Sequence, residues 1–378
     1  MKHVPIGRYL HLSRTRVEPD AAAHYQPIGI RSFGKGIIDY PLSLGAELSK
    51  VTYYRIPAGA LLVSNIKGWE GAVGVSDQRH ETFVASQRFL PYVPNSHDDV
   101  IPRFVYHYLL SDEGLTALGK ASPGSADRNR TLGRAAFESI VIPLPDIEQQ
   151  RAIAARLDSI SGAVEAVTKS ASRVEASIAA LSINLFRREF SPVRLDQLLT
   201  ESARFEPVLP SNKYPTAGVK WYAEGVFAHE AKPASEIRAT KLNRLVSGEF
   251  IYNRLFAWKG SFALTSDEPL YVSNEFPTFT IDHSKVLPEY LLGWFSLPQV
   301  WDKVLRLSTG ATPTSRNRLK QEQLLKLEIP LPSIRDQQSV VEVIRNLKEA
   351  RTLNATRARV GRALPQAARN AEFARLMS

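Results

Sequence analysis

DIEQQRAIAARLDSISGAVEAVTKSASRVEASIAALSINLFRRE, residues 146–189, decides the fold. Ile153, Leu157, Ile160, Val164, Val167, Ala171, Val174, Ile178, Leu181 and Leu185 follow one another at alternating steps of four and three. That is a heptad seam kept in phase over more than four repeats, and it predicts one long helix. Ile142-Pro143-Leu144-Pro145 cannot be helical; Asp146 then stands as N-cap with Gln149 three residues on, a capping-box arrangement. Phe190-Ser191-Pro192 ends the helix. At about 1.5 Å per residue the rod is roughly 65 Å long. Its apolar side chains contribute about 1.5 to 3 kcal/mol each when buried, against about 1 to 2 kcal/mol for ordering each backbone residue. The seam therefore needs a partner, and a stripe this narrow fits a coiled coil better than the core helix of a globular domain.

Outward from the helix, the chain matches itself. Tyr25, Gly29, Phe33, Gly36, Arg55, Gly59, Trp69 and Gly71 recur as Tyr214, Gly218, Tyr222, Gly225, Arg244, Gly248, Trp258 and Gly260, every pair 189 apart. The match resumes at 187: Ser86 and Phe89 pair with Ser273 and Phe276, and Ile142-Pro-Leu-Pro145 with Ile329-Pro-Leu-Pro332. The chain is a tandem duplication. Each copy is rich in Val, Ile, Tyr, Phe, Gly and Pro with a turn signal every eight to twelve residues, which predicts short strands, among them Leu61-Leu62-Val63 and Phe250-Ile251-Tyr252. Short helices are expected at 102–110 and 288–295, each with proline in its first turn.

A second long helix follows Ser333, with Asp336 completing a second capping box, and Val340, Ile344 and Leu347 repeat the seam. Arg351, Asn354, Gly361 and Pro365 then fall where the first helix has valines and isoleucine, and Pro365 is expected to kink or end the regular helix. A shifted stripe through Val360, Leu364, Ala367, Ala371 and Ala374 is the expected continuation. The fold class is α+β: two β-rich domains in tandem, 1–145 and 191–332, each followed by a long helix, 146–190 and 333–378. The helices are expected to pair as an antiparallel coiled coil.

Composition sets the bounds. The 378 residues carry a net charge of +10 with no cysteine, which excludes disulfide frameworks and thiolate metal sites and fits a reducing cytoplasm. No apolar run reaches membrane-spanning length and Met1-Lys2-His3-Val4-Pro5 lacks a signal-peptide core, so a cytoplasmic protein away from membranes is expected. The basic balance favours a polyanionic partner. Gly29-Ile30-Arg31-Ser32-Phe33-Gly34-Lys35 copies P-loop spacing, but Gly36 stands where Ser or Thr should bind magnesium and the repeat has Ala223-Glu224 instead of Gly-Lys. It reads as a turn between strands with Arg31 and Lys35 exposed. No Asn-Pro-Pro-aromatic or Asp-Pro-Pro-aromatic tetrapeptide supports amino-methyl transfer, the histidines show no ligand spacing, and Asp98-Asp99 lacks the partners of a nuclease centre. The chain reads as a binder with no catalytic residues, no metal and no cofactor of its own.

Matched polar clusters carry the binding signal. Arg128-Asn129-Arg130 and Arg316-Asn317-Arg318 recur upstream of the two IPLP arms, the second preceded by Thr312, Thr314 and Ser315. Ser64, Asn65 and Lys67 stand against Asn253, Arg254 and Lys259, Ser86-Gln87-Arg88 against Ser273-Asn274-Glu275, and Arg31 against Lys220. Arg forks onto guanine, Asn onto adenine, and Ser or Thr onto phosphate, so these residues are the candidate contacts to double-stranded DNA. Trp69 and Trp258 read as core residues.

The motif Ile-Pro-Leu-Pro-x-Ile-x-x-Gln, at Ile142 to Gln150 and again at Ile329 to Gln337, leads into a heptad helix and in the second copy follows Gly310-Ala311-Thr312. In this the chain resembles the specificity subunits of type I restriction-modification systems, along its whole length and in the family's order of recognition domain, helix, recognition domain, helix. The first loop, Gly119 to Ser125, departs from the Gly-Ala-Thr form. The resemblance implies a noncatalytic DNA-reading subunit that docks two methyltransferase subunits, which use S-adenosylmethionine, and restriction subunits, which use ATP and magnesium. Two nonidentical copies imply a bipartite asymmetric target. The specificity subunit of a type IIB-like system fits the same sequence, and a coiled-coil scaffold with two protein-binding modules is the reading from another class.

Overall fold

The computed structural model describes residues 2–124, 130–186, 190–310 and 317–377. They form two compact units, 1–171 with 356–378, and 172–355. Each unit therefore contains a stretch of both long helices.

The first unit is built on the antiparallel sheet Val73–Val75, Leu61–Ser64, Phe89–Pro94, Leu10–Leu12. The apolar run Leu61-Leu62-Val63 is wholly buried because it is a central strand with both faces covered. A three-stranded sheet, Val84–Ser86, Tyr53–Arg55, Arg16–Val17, and the hairpin Ile28–Ile30 with Ile37–Asp39 complete the β part. The second unit repeats this with Phe262–Leu264, Phe250–Tyr252, Thr278–Ile281 and Leu199–Glu201, then Tyr271–Val272, Lys241–Arg244 and Phe205–Pro207, and the hairpin Ala217–Val219 with Val226–Ala228. Each IPLP arm is a strand that pairs with the start of its own copy: Val141–Leu144 with Lys2–Pro5, and Glu328–Pro330 with Pro192–Arg194. Two-stranded pairing tolerates the prolines, which have no N–H to give to a central ladder.

The short helices Pro102–Leu109 and Pro288–Phe295 lie where proline at the first turn places them, and each is followed by a second helix, Asp112–Lys120 and Pro298–Leu307. The glutamine of each arm motif locks this assembly. Gln150, fully buried, accepts from Ile101 N (3.0 Å) and donates to Asp99 O (3.0 Å) and Pro145 O (2.9 Å). Gln337 does the same with Leu287 N (2.8 Å), Lys285 O (2.9 Å) and Pro332 O (2.9 Å). One carboxamide thus ties arm, long helix and the entrance to the short helix.

The first long helix runs Ile147–Leu185, with Asp146 Oδ1 accepting from Gln149 N at 2.8 Å. The second runs unbroken from Ile334 to Met377, so Pro365 does not end it. A mid-helix proline costs about 3 kcal/mol, and the turns beyond it offset this by docking on the first unit. Phe373 is buried against Phe104 and Tyr108, with ring centroids 5.4 and 5.3 Å away, and Gln366 and Asn370 donate to the Asp112 carboxylate at 2.8 and 2.6 Å. The expected shifted stripe is also corrected. Val360 and Leu364 are 63% and 50% exposed, and Ala367, Ala371 and Ala374 face solvent, whereas Gly361, Pro365, Ala368 and Glu372 keep the original seam. A Cβ added to Gly361 would lie 3.9 Å from Val167, and Arg156 pairs with Glu372 at 2.6 Å, so within this unit the two helices run antiparallel. In the second unit Arg351 bridges to Glu175 at 2.8 Å, while Val174 and Leu181 of the seam are 39% and 52% exposed.

His107 is a buried polar residue at this docking surface. Its Nε2 lies 2.8 Å from Asp158 Oδ1, and Arg369 Nε donates to Nδ1 at 3.3 Å, which fits a neutral ring with its proton on Nε2. Arg103 also reaches Asp158, and the Tyr106 ring packs 5.0 Å away. Burial first, then the Arg369 and Arg103 charges, push the His107 pKa below its ordinary value, and Asp158 opposes them. The unfolded chain then takes up the proton more readily than the folded one. Stability held by neutral His107 is complete above about pH 6.5 and drains as the pH falls below it. The first unit should therefore unfold at lower urea at pH 5.5 than at pH 7.5, with His107→Gln flattening the difference; an equal pH dependence in the variant would show another group responsible.

Candidate nucleic-acid interface

The polar loops singled out by the duplication converge in each unit through the same pair of backbone hydrogen bonds. In the first, Asn65 N donates to Arg88 O (2.8 Å) and Leu132 N to Asn65 O (2.7 Å). In the second, Arg254 N donates to Glu275 O (3.0 Å) and Leu319 N to Arg254 O (3.1 Å). The strand ends Ser64 and Tyr252 and the loops after Ser86 and Ser273 are thereby held beside the segments that lead into the arms. The backbone frame is common and the side chains differ: Asn65 and Arg88 in one copy, Arg254 and Glu275 in the other. Asn65 Oδ1 and Arg254 Nε, at equivalent positions, are both buried without a hydrogen-bond partner.

This frame corrects the register of the Arg-Asn-Arg clusters. Leu132 is equivalent to Leu319, an offset of 187, so Arg130 stands opposite Asn317 and not Arg318. Arg130 folds back, donating to Ser122 O (3.2 Å) and Gly119 O (2.9 Å) with its guanidinium 4.6 Å from the Trp69 ring centre. Arg318 instead forks onto Glu275 at 3.1 and 3.3 Å. Asn317 is nearly buried. Arg128, Asn129, Thr312, Thr314, Ser315 and Arg316 lie outside the described residues.

The remaining candidates divide by exposure. Gln87, Arg88, Lys67 and Asn274 are exposed on the converging loops, and Arg88 makes no side-chain ion pair among the described residues. Ser86 is half-buried, and Ser64 is buried, its Oγ accepting from Lys67 N at 3.3 Å. Lys67 pairs with Glu70 at 2.6 Å. That bond, with a second from Ser32 Oγ, holds the Glu70 pKa below the usual carboxylate value. Arg254 Nη2 donates to Gln321 Oε1, and Asn253 Oδ1 accepts from Leu255 N at 3.0 Å. Arg31, Lys35, Lys220 and Lys259 belong to a neighbouring feature and not to the convergence itself.

That feature is the P-loop look-alike, which is a β-hairpin. Its tip docks on the following tryptophan turn by the same bonds in both copies: Phe33 N to Glu70 O and Gly34 N to Gly71 O, then Tyr222 N to Lys259 O and Ala223 N to Gly260 O. Phe33 (φ 62°), Tyr222 (φ 60°) and Ala223 (φ 55°) take the left-handed backbone that this turn requires. Phe33 is 74% exposed, and Tyr222 is exposed beside Trp221. These aromatic tips were not among the sequence candidates, although the match of Phe33 to Tyr222 was visible. Trp69 and Trp258 are half-buried, the second packed against the core of its unit, with Lys67 and Arg130 over the first and Lys259 5.0 Å from the second. Among the described residues no His/Asp/Glu cluster is placed to hold a metal, and no helix is long and apolar enough to cross a membrane.

Residues 43–176 match the family of the type I restriction modification DNA specificity domain. No curated protein matches the sequence. Among solved structures, the HsdS subunit from Thermoanaerobacter tengcongensis is similar over 98% of this chain and 96% of its own, at 15% identity and a TM-score of 0.57. A structure from work on complex assembly and conformational transition of the type I R-M system is similar over 98% and 97%, at 14% identity and a TM-score of 0.66. The type I restriction-modification S subunit from M. genitalium is similar over 98% and 96%, at 10% identity and a TM-score of 0.53. Residues 43–176 thus match the type I restriction modification DNA specificity domain, and along nearly all of its length the chain shares the fold of these solved structures.

Proposed function

We propose that this protein is the DNA sequence-specificity subunit of a type I restriction-modification complex and reads a bipartite, asymmetric target, one half-site per β-rich unit. The observation that carries this is the loop convergence around Asn65 and around Arg254: one backbone frame built twice, with different side chains on it. Equal frames with unequal surfaces suit two half-sites of unequal sequence. The net charge of +10 suits phosphate contact. In this reading the chain is noncatalytic. Two methyltransferase subunits supply S-adenosylmethionine chemistry, and restriction subunits supply ATP- and magnesium-dependent cleavage. The likeness to a structure from a type I assembly supports such partners.

Methylome sequencing of a host with and without the gene tests the reading. A split adenine motif that disappears with the gene is expected, and its absence would sink the proposal. Arg88→Ala and Asn274→Ala should then act on different half-sites, each slowing methylation about fivefold to a hundredfold if a base contact worth about 1–3 kcal/mol is lost. If both variants weaken the two halves equally and lower the salt slope by about one, the residues hold phosphate only.

A further inference from the structure

The second unit contains a cavity of about 700 Å³ that the loop convergence does not account for. It lies in the range of about 300–1,000 Å³ usual for small-ligand sites. Its walls are flat rings: Trp221, Phe227, His229, Phe256 and Phe276. Trp221 is tilted 48° to Phe256 with ring centres 5.6 Å apart, and Phe227 meets His229 edge to face at 4.9 Å. Trp221 and Phe227 nevertheless stay 41% and 38% exposed. The Phe227 ring can lie over the hairpin because Gly218 has no Cβ, which would come within 2.5 Å of it.

The polar lining is equally specific. Lys220 and Lys232 line the cavity and make no ion pair among the described residues, while Lys259 Nζ sits 3.8 Å from the centre of the Trp221 ring. Glu224 is the acid on this lining. Asn253 offers its side-chain N–H groups, since its oxygen is taken by Leu255 N, and Ser273 Oγ accepts from Glu275 N at 3.3 Å and keeps its own proton to donate. Partly exposed aromatic rings, the cations of Lys220 and Lys232 and a few hydrogen-bond donors together suit a flat heteroaromatic ring attached to a phosphate, and suit an aliphatic peptide poorly. Asn253 precedes Arg254 of the convergence, and Ser273 opens the loop that meets it, so the cavity adjoins the loops assigned to DNA.

We infer that this cavity takes one nucleobase extruded from the DNA held by the second unit. The inference rests on the reading of that unit as a DNA-recognition domain. It concerns this copy alone: Trp221, Phe227 and Phe256 stand in register with Ser32, Ile38 and Lys67 of the first unit, which cannot form the same walls. Extrusion is easiest where pairing is already weak. The complex assembled with methyltransferase subunits should therefore bind one member of a set of singly mismatched target duplexes about tenfold tighter than the paired duplex. The mismatch should lie in the second half-site, away from the methylated adenine. Trp221→Ala should abolish that gain, Trp221→Phe should keep most of it, and Phe227→Leu, which fills the space over Gly218 without a flat face, should reduce it. Specific binding with no mismatch-tightened position, or a gain that survives Trp221→Ala and Phe227→Leu, overturns the inference and leaves the recognition reading intact. Absence of preference for any bipartite duplex overturns both.

Discussion

Replacing Gln150 by leucine is expected to destabilise the first unit by at least about 3 kcal/mol, because three backbone groups lose their partner and each unmet group costs about 1–3 kcal/mol. The side chain is wholly buried, and leucine of similar volume cannot accept from Ile101 N or donate to Asp99 O and Pro145 O. Gln337→Leu should do the same to the second unit through Leu287 N, Lys285 O and Pro332 O. Glutamate in either place, kept protonated by burial, retains the acceptor and one of the two donations, so it should fall between wild type and leucine. Urea unfolding of the purified chain measures this as a lowered midpoint. A shift below about 0.5 kcal/mol, the usual scale of a surface change, would mean that the three groups find other partners.

Phe373→Ala is expected to cost about 3–5 kcal/mol, as for other buried aromatics. Only 1% of Phe373 is exposed; it packs on Phe104 and Tyr108 and anchors the last turns of the second helix to the first unit. Phe186, an offset of 187 away, plays the same part in the second unit against Tyr290, 5.1 Å between ring centres. Protease digestion should therefore cut the Phe373→Ala protein first after residue 355, where the wild-type helix resists. Loss of stability without new cleavage there would show that the helix stays docked through Gln366, Arg369 and Asn370.

The duplication, both N-caps, the proline-started short helices and the first seam were legible in the sequence because each is a local pattern with a local cause. The course of the second helix was not. Propensity argues that Pro365 stops a helix, and Val360 and Leu364 look like a new apolar stripe. Packing decided otherwise: contacts made by Phe373, Arg369 and Asn370 outweigh one missing hydrogen bond, and Gly361 and Pro365 are small enough to stay on the seam. At the interface, loop membership was legible but orientation was not. Arg130 and Arg318 look alike in a string, yet one folds back onto Trp69 and the other onto Glu275, because a single-residue difference in register sends them to different neighbours. The convergence itself is made by main-chain N–H and C=O groups, which composition does not reveal.

The first unit is closed by residues 366–376, about two hundred residues after the rest of it has left the ribosome. At about 5–20 residues per second that interval is roughly 10–40 s. Throughout it the groove of Phe104 and Tyr108 stands open and His107 lacks Arg369, whereas the second unit has all of its residues once Ala355 has emerged. The half of the chain made first is thus the half finished last. Nascent or prematurely terminated chains that lack residues 366–376 should therefore present that aromatic groove to chaperones and proteases.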